Sequence, residues 1–344
     1  MQTLNKGEWA ESYCILRIIA DGKLQLCTAN LQLFGEQVTV IGGTISPDVH
    51  YIIDGDNVKF NAYGVSKEVS LEYVSKLAIR SLQYIKSSQE KTFSLPEVAE
   101  LFGTQSLKAK ASDKVDTIIK VFDNLTKANE ELGFSIKSFI AGSPTLVNAS
   151  KATNFTYNIQ IDSIVEKYKN LKAKTLLRAL DNDAVKIIFE KMDSSTYQNN
   201  LMRIDLKMPE ILAEFLNIYY SSKMKTVREI TAKLQEINPL NLVDISLYKS
   251  KITDYLFYSS VGMFPNKGWQ GIQDIDGGCL IVEDSGEVKS FYIFRKTFLI
   301  FFREYLFNKC FLDTPSTTRH GFARLYEENR KVKLKLNLQV RIEK

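Results

Sequence analysis

Residues 112–155 constrain this chain more than any other stretch, because they carry the pattern of two neighbouring β-strands. Asp116 leads into the β-branched run TIIKVF, and a turn-rich segment, DNLTKANEE, follows. The run LGFSIKS then places Ser135 and Lys137 on one strand face and apolar residues on the other, since side chains alternate along a strand. We therefore predict a hairpin that brings Asp116 and Lys137 together at one end.

A carboxylate and an ammonium held at one end of a hairpin suit phosphodiester hydrolysis. The carboxylate of Asp116 can bind a divalent cation such as Mg²⁺. The ammonium of Lys137 can polarise the attacking water or stabilise the charge of the transition state. On its own the pair is a weak signal, because a spaced Asp and Lys occur by chance in most proteins.

The composition is that of an ordinary soluble globular protein. The chain has 344 residues, of which 44% are hydrophobic and 25% charged, enough for one large domain or two. A net charge of +5 permits an acidic partner without requiring one, so a DNA-binding face has to come from local clustering. Widely spaced cysteines without a CxxC motif, and only two histidines, argue against a zinc site. With no signal peptide and no membrane span in the pattern, we expect a cytoplasmic protein with reduced thiols.

The N-terminal segment predicts a helix that Asn5 caps and that ends after Asp21. Glu8 and Glu11 are three residues apart and share one side of this helix. They either face a metal together or form a solvated acidic first turn that complements the helix dipole. The spacing leaves both interpretations open.

Two polar segments are candidates for contacts with DNA bases or phosphates. The segment TLVNASKATNF offers Asn148, Ser150, Lys151, Thr153 and Asn154. The loop TPSTTRHG offers Thr317, Thr318, Arg319 and His320. Arg319 is the first choice for a base contact, because arginine reads the O6 and N7 atoms of guanine well. The competing interpretations are a capped polar loop for the first segment and a structural Arg–carboxylate pair for the second. Lys108, Lys110 and Lys114 cluster before Asp116, either as a solvated loop or to neutralise phosphates.

The remaining pattern predicts an α/β fold in three parts. Residues 1–160 hold the N-terminal helix and the hairpin, and residues 161–240 form a helical insertion or subdomain in which segments such as DAVKIIFEKM show helical spacing. Residues 241–344 are strand-rich and complete the fold. A second candidate for the catalytic site lies in this last part. Glu287-Val288-Lys289 matches (D/E)XK, an acid two residues before a lysine, and Asp276 offers a partner acid.

The hairpin with Asp116 and Ser135-Ile136-Lys137 resembles the PD-(D/E)XK nuclease core. Longer strings resemble the HpaII family of type II restriction endonucleases. They are NKGEWAE near the start, GFSIKS and TLVNASKATNF in the middle, DIDGG further on, and DTPSTTRHGF with LKLNLQVRI at the end. These strings are specific, and they follow one another in order over nearly the whole chain.

The resemblance implies a mixed β-sheet PD-(D/E)XK-type nuclease core with a helical insertion and a strand-rich C-terminal region. It implies Mg²⁺-dependent, site-specific hydrolysis of double-stranded DNA at a short palindrome, which is CCGG if the chain keeps the specificity of the family's namesake. It also implies a cognate DNA methyltransferase that protects host DNA. A homodimer is compatible with such a site.

Within that resemblance Asp116 and Lys137 take the catalytic positions, and Ser135 stands where the pattern has its second acid. Serine is a poor metal ligand, so the missing carboxylate is expected from Glu11 or Glu8 first and from Asp113 second. Nucleases of this core often bring a glutamate from an N-terminal helix to the site. The alternative function is a sequence-specific DNA-binding protein without cleavage activity, for which Ser135 would be a sign of decay.

Overall fold

The computed structural model describes residues 3–103, 114–315 and 322–344. The chain divides into two compact units. The first contains Met1–Pro144, Gln273–Tyr305 and Lys344, and the second contains Thr145–Ile272 and Leu306–Glu343. The chain passes between the units more than once, so the limits of the units differ from the domain limits predicted at residues 160 and 240. The division into three domains stays a prediction.

The helices of the described segments are amphipathic or largely buried. They are α1 (Lys6–Asp21), α2 (Leu71–Ser87), α3 (Pro96–Phe102), α4 (Glu166–Lys169), α5 (Ala173–Asn182), α6 (Ser195–Ile204), α7 (Met208–Ser221), α8 (Val227–Ile237), α9 (Ser246–Val261) and α10 (Lys296–Lys309). Within the same described segments, no helix is both long and apolar enough to cross a membrane.

The strands of the described segments occur both in runs and between these helices. They are β1 (Leu4–Asn5), β2 (Lys23–Cys27), β3 (Leu33–Ser46), β4 (Val49–Asp54), β5 (Asn57–Ala62), β6 (Val65–Ser70), β7 (Thr92–Phe93), β8 (Thr117–Asp123), β9 (Ala128–Ser138), β10 (Thr145–Val147), β11 (Asn154–Ile159), β12 (Ile187–Met192), β13 (Gly278–Val282), β14 (Val288–Tyr292), β15 (Cys310–Leu312), β16 (Leu325–Glu328), β17 (Lys331–Asn337) and β18 (Val340–Ile342). The fold is therefore mixed α/β, as the sequence predicts.

A large mixed sheet forms the first unit, with strand order β2-β14-β13-β9-β8-β3-β4-β5-β6. Strand β9 is parallel to β13 and antiparallel to β8, so the predicted hairpin lies in the interior of the sheet. Strand β3 bends where it runs beside β8. At Gly43 a Cβ atom would lie 2.4 Å from the Ile118 carbonyl oxygen, so only glycine allows this close approach.

Helix α1 begins at the predicted residue because its first turn is capped. The Asn5 side chain accepts hydrogen bonds from the backbone N–H groups of Gly7 at 2.8 Å and Glu8 at 3.0 Å. Gly22 ends the helix in the left-handed conformation, with φ of 62°. The apolar side of α1, which includes Trp9 and Leu16, is buried in a core shared with α2, α3 and the sheet.

The second unit combines helices α4 to α9 with two smaller antiparallel sheets, β10-β18-β15 and β12-β11-β17-β16. Its helical part differs from the prediction in one place, because residues 187–192 form strand β12 instead of continuing a helix. The run Ile187-Ile188-Phe189 is β-branched and aromatic, and it pairs with β11 from Ile159 to Phe155. The strand-rich C-terminal region also contains helix α9, which the sequence analysis did not predict.

Candidate active site

Asp116 is fixed at the open end of the β8–β9 hairpin by its neighbour strand. Its backbone N–H donates to the Phe134 carbonyl at 2.9 Å, and its Oδ2 atom accepts a hydrogen bond from the Ile136 N–H at 2.6 Å. Lys137 follows Ile136 directly, and its ammonium donates to the Ile136 carbonyl at 3.1 Å. The predicted hairpin is therefore present, and it brings Asp116 and Lys137 to the same end.

Helix α1 adds the carboxylate of Glu11 to this end of the hairpin. Burial and the Asp116 charge raise the pKa of Glu11, Lys137 lowers it, and the net result is a pKa of about 8. Burial likewise raises the pKa of Asp116, and Lys137 and the Ile136 N–H offset part of this rise. Burial and the nearness of the other acid disfavour the ionised form of each carboxyl group. A divalent cation would stabilise both ionised forms.

The structure separates the two glutamates that share one side of α1. The Glu8 carboxylate accepts a hydrogen bond from the Asn5 N–H at 2.8 Å and so completes the capping box. Glu8 is therefore used by the helix itself, while Glu11, one turn on, faces the hairpin. Asp113, the other predicted source of an acid, lies outside the described residues.

Ser135 lies where the prediction has it, on the same strand face as Lys137, and is 1% exposed. Its partner in the parallel register is Cys279 of β13. A cation at this site therefore gains no carboxylate from β9, and the acid beside Asp116 comes from α1. All four cysteines, Cys279 among them, are free and buried.

Lys114 is a second lysine at this end of the hairpin. Burial and the charge of Lys137 lower the pKa of Lys114, Asp116 and Asp274 raise it, and the net result is a pKa of about 8. The sequence signal for it is its position two residues before Asp116, within the predicted lysine cluster. The other two members of that cluster, Lys108 and Lys110, lie outside the described residues.

The oxygen atoms at this end of the hairpin are of the kind that can hold a divalent cation such as Mg²⁺. The groups available are the carboxylates of Asp116 and Glu11 and the carbonyl of Ile136. Mg²⁺ is usually held by one or two carboxylates together with waters and substrate phosphates rather than by an all-protein cage. The described part of the chain contains no group of three or more His, Cys, Asp or Glu side chains able to hold a metal.

The second candidate for the catalytic site is not assembled. Lys289 pairs with Glu283 at 2.9 Å and with Glu287 at 3.6 Å, beside the turn between β13 and β14. Asp276 precedes the other end of β13, where its carboxylate accepts a hydrogen bond from the Gly133 N–H at 2.7 Å. The length of strand β13 therefore separates this acid from Lys289.

The first predicted DNA-contact segment lies in the second unit and is only partly accessible. Asn148 and Lys151 are exposed and Ser150 is half-buried. Thr153 and Asn154 are 0% and 1% exposed. The Thr153 hydroxyl binds the backbone of Ser150, and the Asn154 amide donates to Asp193 at 3.2 Å. These two side chains therefore form hydrogen bonds within the protein and do not face solvent.

A cleft of about 570 Å³ lies beside Lys151 and is lined also by Lys191, Tyr326 and Lys335. Lys335, on β17, is paired with Asp193 at 2.7 Å, so part of the positive charge in this cleft is already neutralised. The second predicted segment, with Thr317, Thr318, Arg319 and His320, lies outside the described residues.

Comparison with known proteins identifies the chain over almost its whole length. A family model described as HpaII restriction endonuclease matches residues 5–342. The type II restriction enzyme HpaII of Haemophilus parainfluenzae is 34% identical, and the match covers 98% of each chain. No solved structure matches. The chain therefore belongs to the HpaII restriction endonuclease family and is a type II restriction endonuclease.

Proposed function

We propose that the enzyme hydrolyses double-stranded DNA at the palindrome CCGG with Mg²⁺, using a PD-(D/E)XK-type site at the open end of the β8–β9 hairpin. The observation that carries this proposal is the fixed position of Asp116. Its carboxylate accepts a hydrogen bond from the N–H of Ile136, immediately before Lys137, and Glu11 is buried close enough to feel both charges.

Each of these residues has a distinct task. Asp116 and Glu11 would hold the cation in their ionised forms, because its charge would compensate for their burial. Lys137 keeps its ammonium at the same end of the hairpin, where it donates to a phosphate oxygen or the attacking water and stabilises the charge of the transition state. When bound, the cation neutralises phosphate charge and lowers the pKa of its water. Ser135 packs beside Cys279 and has no direct part in this chemistry.

Glu11 replaces the second acid of the pattern. A carboxylate at residue 135 would come from β9, whereas Glu11 reaches the same neighbourhood from α1. Glu8 supports it indirectly, because the capping box fixes the first turn of the helix that carries Glu11. Asp113 remains a further candidate for this role.

The recognition of CCGG is assigned to Arg319, with Thr317, Thr318 and His320, and to the exposed residues of the first polar segment. An arginine suits a G·C site, because it binds guanine O6 and N7 together. A palindrome is read most simply by two identical subunits, so we propose a homodimer on DNA. The host then needs a methyltransferase that modifies the same sequence, and the enzyme acts in the cytoplasm.

Digestion of plasmid DNA tests the proposal directly. The enzyme is incubated with Mg²⁺ or with EDTA on a plasmid that contains CCGG sites and on one from which they have been removed. We expect cleavage only with Mg²⁺ and only at CCGG, and sequencing the ends gives the cut position. Cleavage at another sequence would overturn the CCGG assignment, and cleavage in EDTA would overturn the metal.

The alternative of a DNA-binding protein that has lost cleavage is not retained, because the family is one of restriction endonucleases. Asp116 and Lys137 are both present at the hairpin, and a buried carboxylate on α1 accompanies them in place of the acid that Ser135 lacks.

A further inference from the structure

Three cationic side chains converge on one place in the second unit, away from the residues discussed so far. Lys174 and Arg178 are four residues apart on α5 and therefore share one face of it. The Arg178 guanidinium donates to the Ser222 carbonyl at 2.8 Å, which places it at the loop between α7 and α8. Lys225 lies in this same loop and is exposed. We call these three residues the cationic cluster.

The cationic cluster lacks a carboxylate of its own. None of its three side chains forms an ion pair within the described parts of the chain. Two acids beside the loop of Lys225 are already used. Glu229 accepts hydrogen bonds from the N–H groups of Thr226 and Lys225 as the cap of α8. Asp313 pairs with Arg341 at 2.9 Å. Three like charges held together without an acid favour the binding of an anion.

Two of the three cationic side chains, those of Lys174 and Arg178, are held in place by contacts with the protein. The Lys174 ammonium lies 3.7 Å from the centre of the Tyr219 ring, a cation–π contact. Burial, together with the charges of Arg178 and Lys225, lowers the pKa of Lys174 to about 8. An anion at this place would stabilise the charged form of Lys174 and bind all three groups at once.

Tyr219, which contacts Lys174, also contacts the beginning of the segment predicted to bind DNA bases. The Tyr219 hydroxyl forms a 2.8 Å hydrogen bond with the Thr314 hydroxyl. Thr314 precedes Thr317 and Arg319 by only a few residues in the sequence. The N–H of Leu312 also donates to the Lys225 carbonyl at 2.9 Å, so the backbone of the cluster's loop holds the strand that leads to Thr314. An anion bound by the cluster is therefore linked to the start of the predicted recognition loop.

We propose that Lys174, Arg178 and Lys225 bind a phosphate of the DNA backbone and so position the duplex beside Thr314. This inference rests on the proposed cleavage of duplex DNA. Phosphate contacts fix the register of a protein on DNA without carrying sequence information, so the site serves cognate and non-cognate duplexes alike. An arginine, two lysines and an adjacent hydroxyl-bearing segment are the groups that such contacts use.

The test is the salt dependence of DNA binding for Lys174→Gln and Lys225→Gln. Binding is measured by fluorescence anisotropy with Ca²⁺ in place of Mg²⁺, on one duplex with CCGG and one with the site shuffled. Each phosphate contact contributes about −0.9 to the slope of log affinity against log salt concentration. We expect each variant to lose about one such contact, which weakens binding about eightfold at 0.1 M salt, on both duplexes.

Lys233→Gln is the matched control, because Lys233 lies on α8 and is paired with Glu236 at 2.6 Å. It should keep the wild-type slope. Lys174→Arg should keep it too, since it retains the charge. Thermal unfolding of each variant establishes that it is folded, and the exposed Lys225 provides a variant that burial does not complicate.

The outcomes separate this site from the proposed function. Wild-type cleavage of a CCGG plasmid tests the function alone. Wild-type slopes in Lys174→Gln and Lys225→Gln would overturn the phosphate site even if cleavage is normal. A slope that changes equally in the Lys233→Gln control would also overturn it, because the effect would then come from overall charge.

Discussion

Glu11 makes the stability of the metal-free enzyme depend on pH. Its pKa of about 8 lies above the ordinary 4.5 because burial and the Asp116 charge disfavour its ionised form. Between these two values the folded state keeps a proton that the unfolded chain has released. The resulting stabilisation is fully present below pH 4.5 and is lost as the pH rises towards 8. At about 1.4 kcal/mol per pH unit, the loss reaches roughly 5 kcal/mol.

The substitution Glu11→Gln removes this titration and keeps the shape of the side chain. Urea unfolding of both proteins in EDTA, across the pH range from 4.5 to 8, gives the unfolding free energy at each pH. We expect the wild-type value to fall by several kcal/mol and the variant's curve to be flatter by most of that amount. Asp116, whose pKa is also raised, leaves a residual slope of the same sign. Lys114 acts in the opposite direction, and only above its pKa of about 8.

Two results would refute this reasoning. One is a wild-type unfolding free energy that is constant over the range, and the other is a Glu11→Gln curve as steep as that of the wild type. Adding Mg²⁺ provides a second measurement. Because the cation binds ionised acids, it should stabilise the wild type more at the alkaline end of the range than at the acidic end, and much less in the variant.

Further predictions concern catalysis and recognition. Lys137→Ala and Asp116→Asn should lower plasmid cleavage by orders of magnitude while the proteins stay folded and bind DNA in Ca²⁺, since the loss of transition-state stabilisation is worth several kcal/mol. Lys289→Ala should cleave almost normally, and an inactive Lys289→Ala with an active Lys137→Ala would move the site to the β13–β14 hairpin. Arg319→Ala should lose roughly 1–3 kcal/mol of discrimination between the cognate site and a one-base mismatch in binding titrations, and unchanged discrimination would exclude a guanine contact.

The sequence predicted the parts of the site that are formed by contacts between residues close in sequence. The strand period and β-branched run gave the β8–β9 hairpin, because both strands and their turn are contiguous in sequence. The cap of α1 was predictable because Asn5 and Glu8 satisfy the first N–H groups of their own helix. The choice between Glu8 and Glu11 was not, because both lie on one side of α1 and only the packing of the helix on the sheet distinguishes them.

Contacts between distant segments account for the differences. Residues 187–192 have helical spacing, and they form β12 only because β11, itself paired with β17, offers an edge to them. Helix α9 was missed because its aromatic and β-branched content favours strands, and its burial within the second unit overrides that preference. The parallel pairing of β9 with β13, which brings Cys279 beside Ser135, joins segments more than a hundred residues apart.

The burial of residue 135 gives a physical reason for a serine at the position of an acid. The side chain is 1% exposed, and the neighbouring thiols of Cys279 and Cys14 are fully buried, so a carboxylate here would be desolvated. Asp116 and Glu11 already raise the cost of negative charge at this point, as their raised pKa values indicate. A third acid at this point would add its own desolvation cost in the metal-free enzyme. With Glu11 on α1, a small neutral residue on β9 avoids that cost.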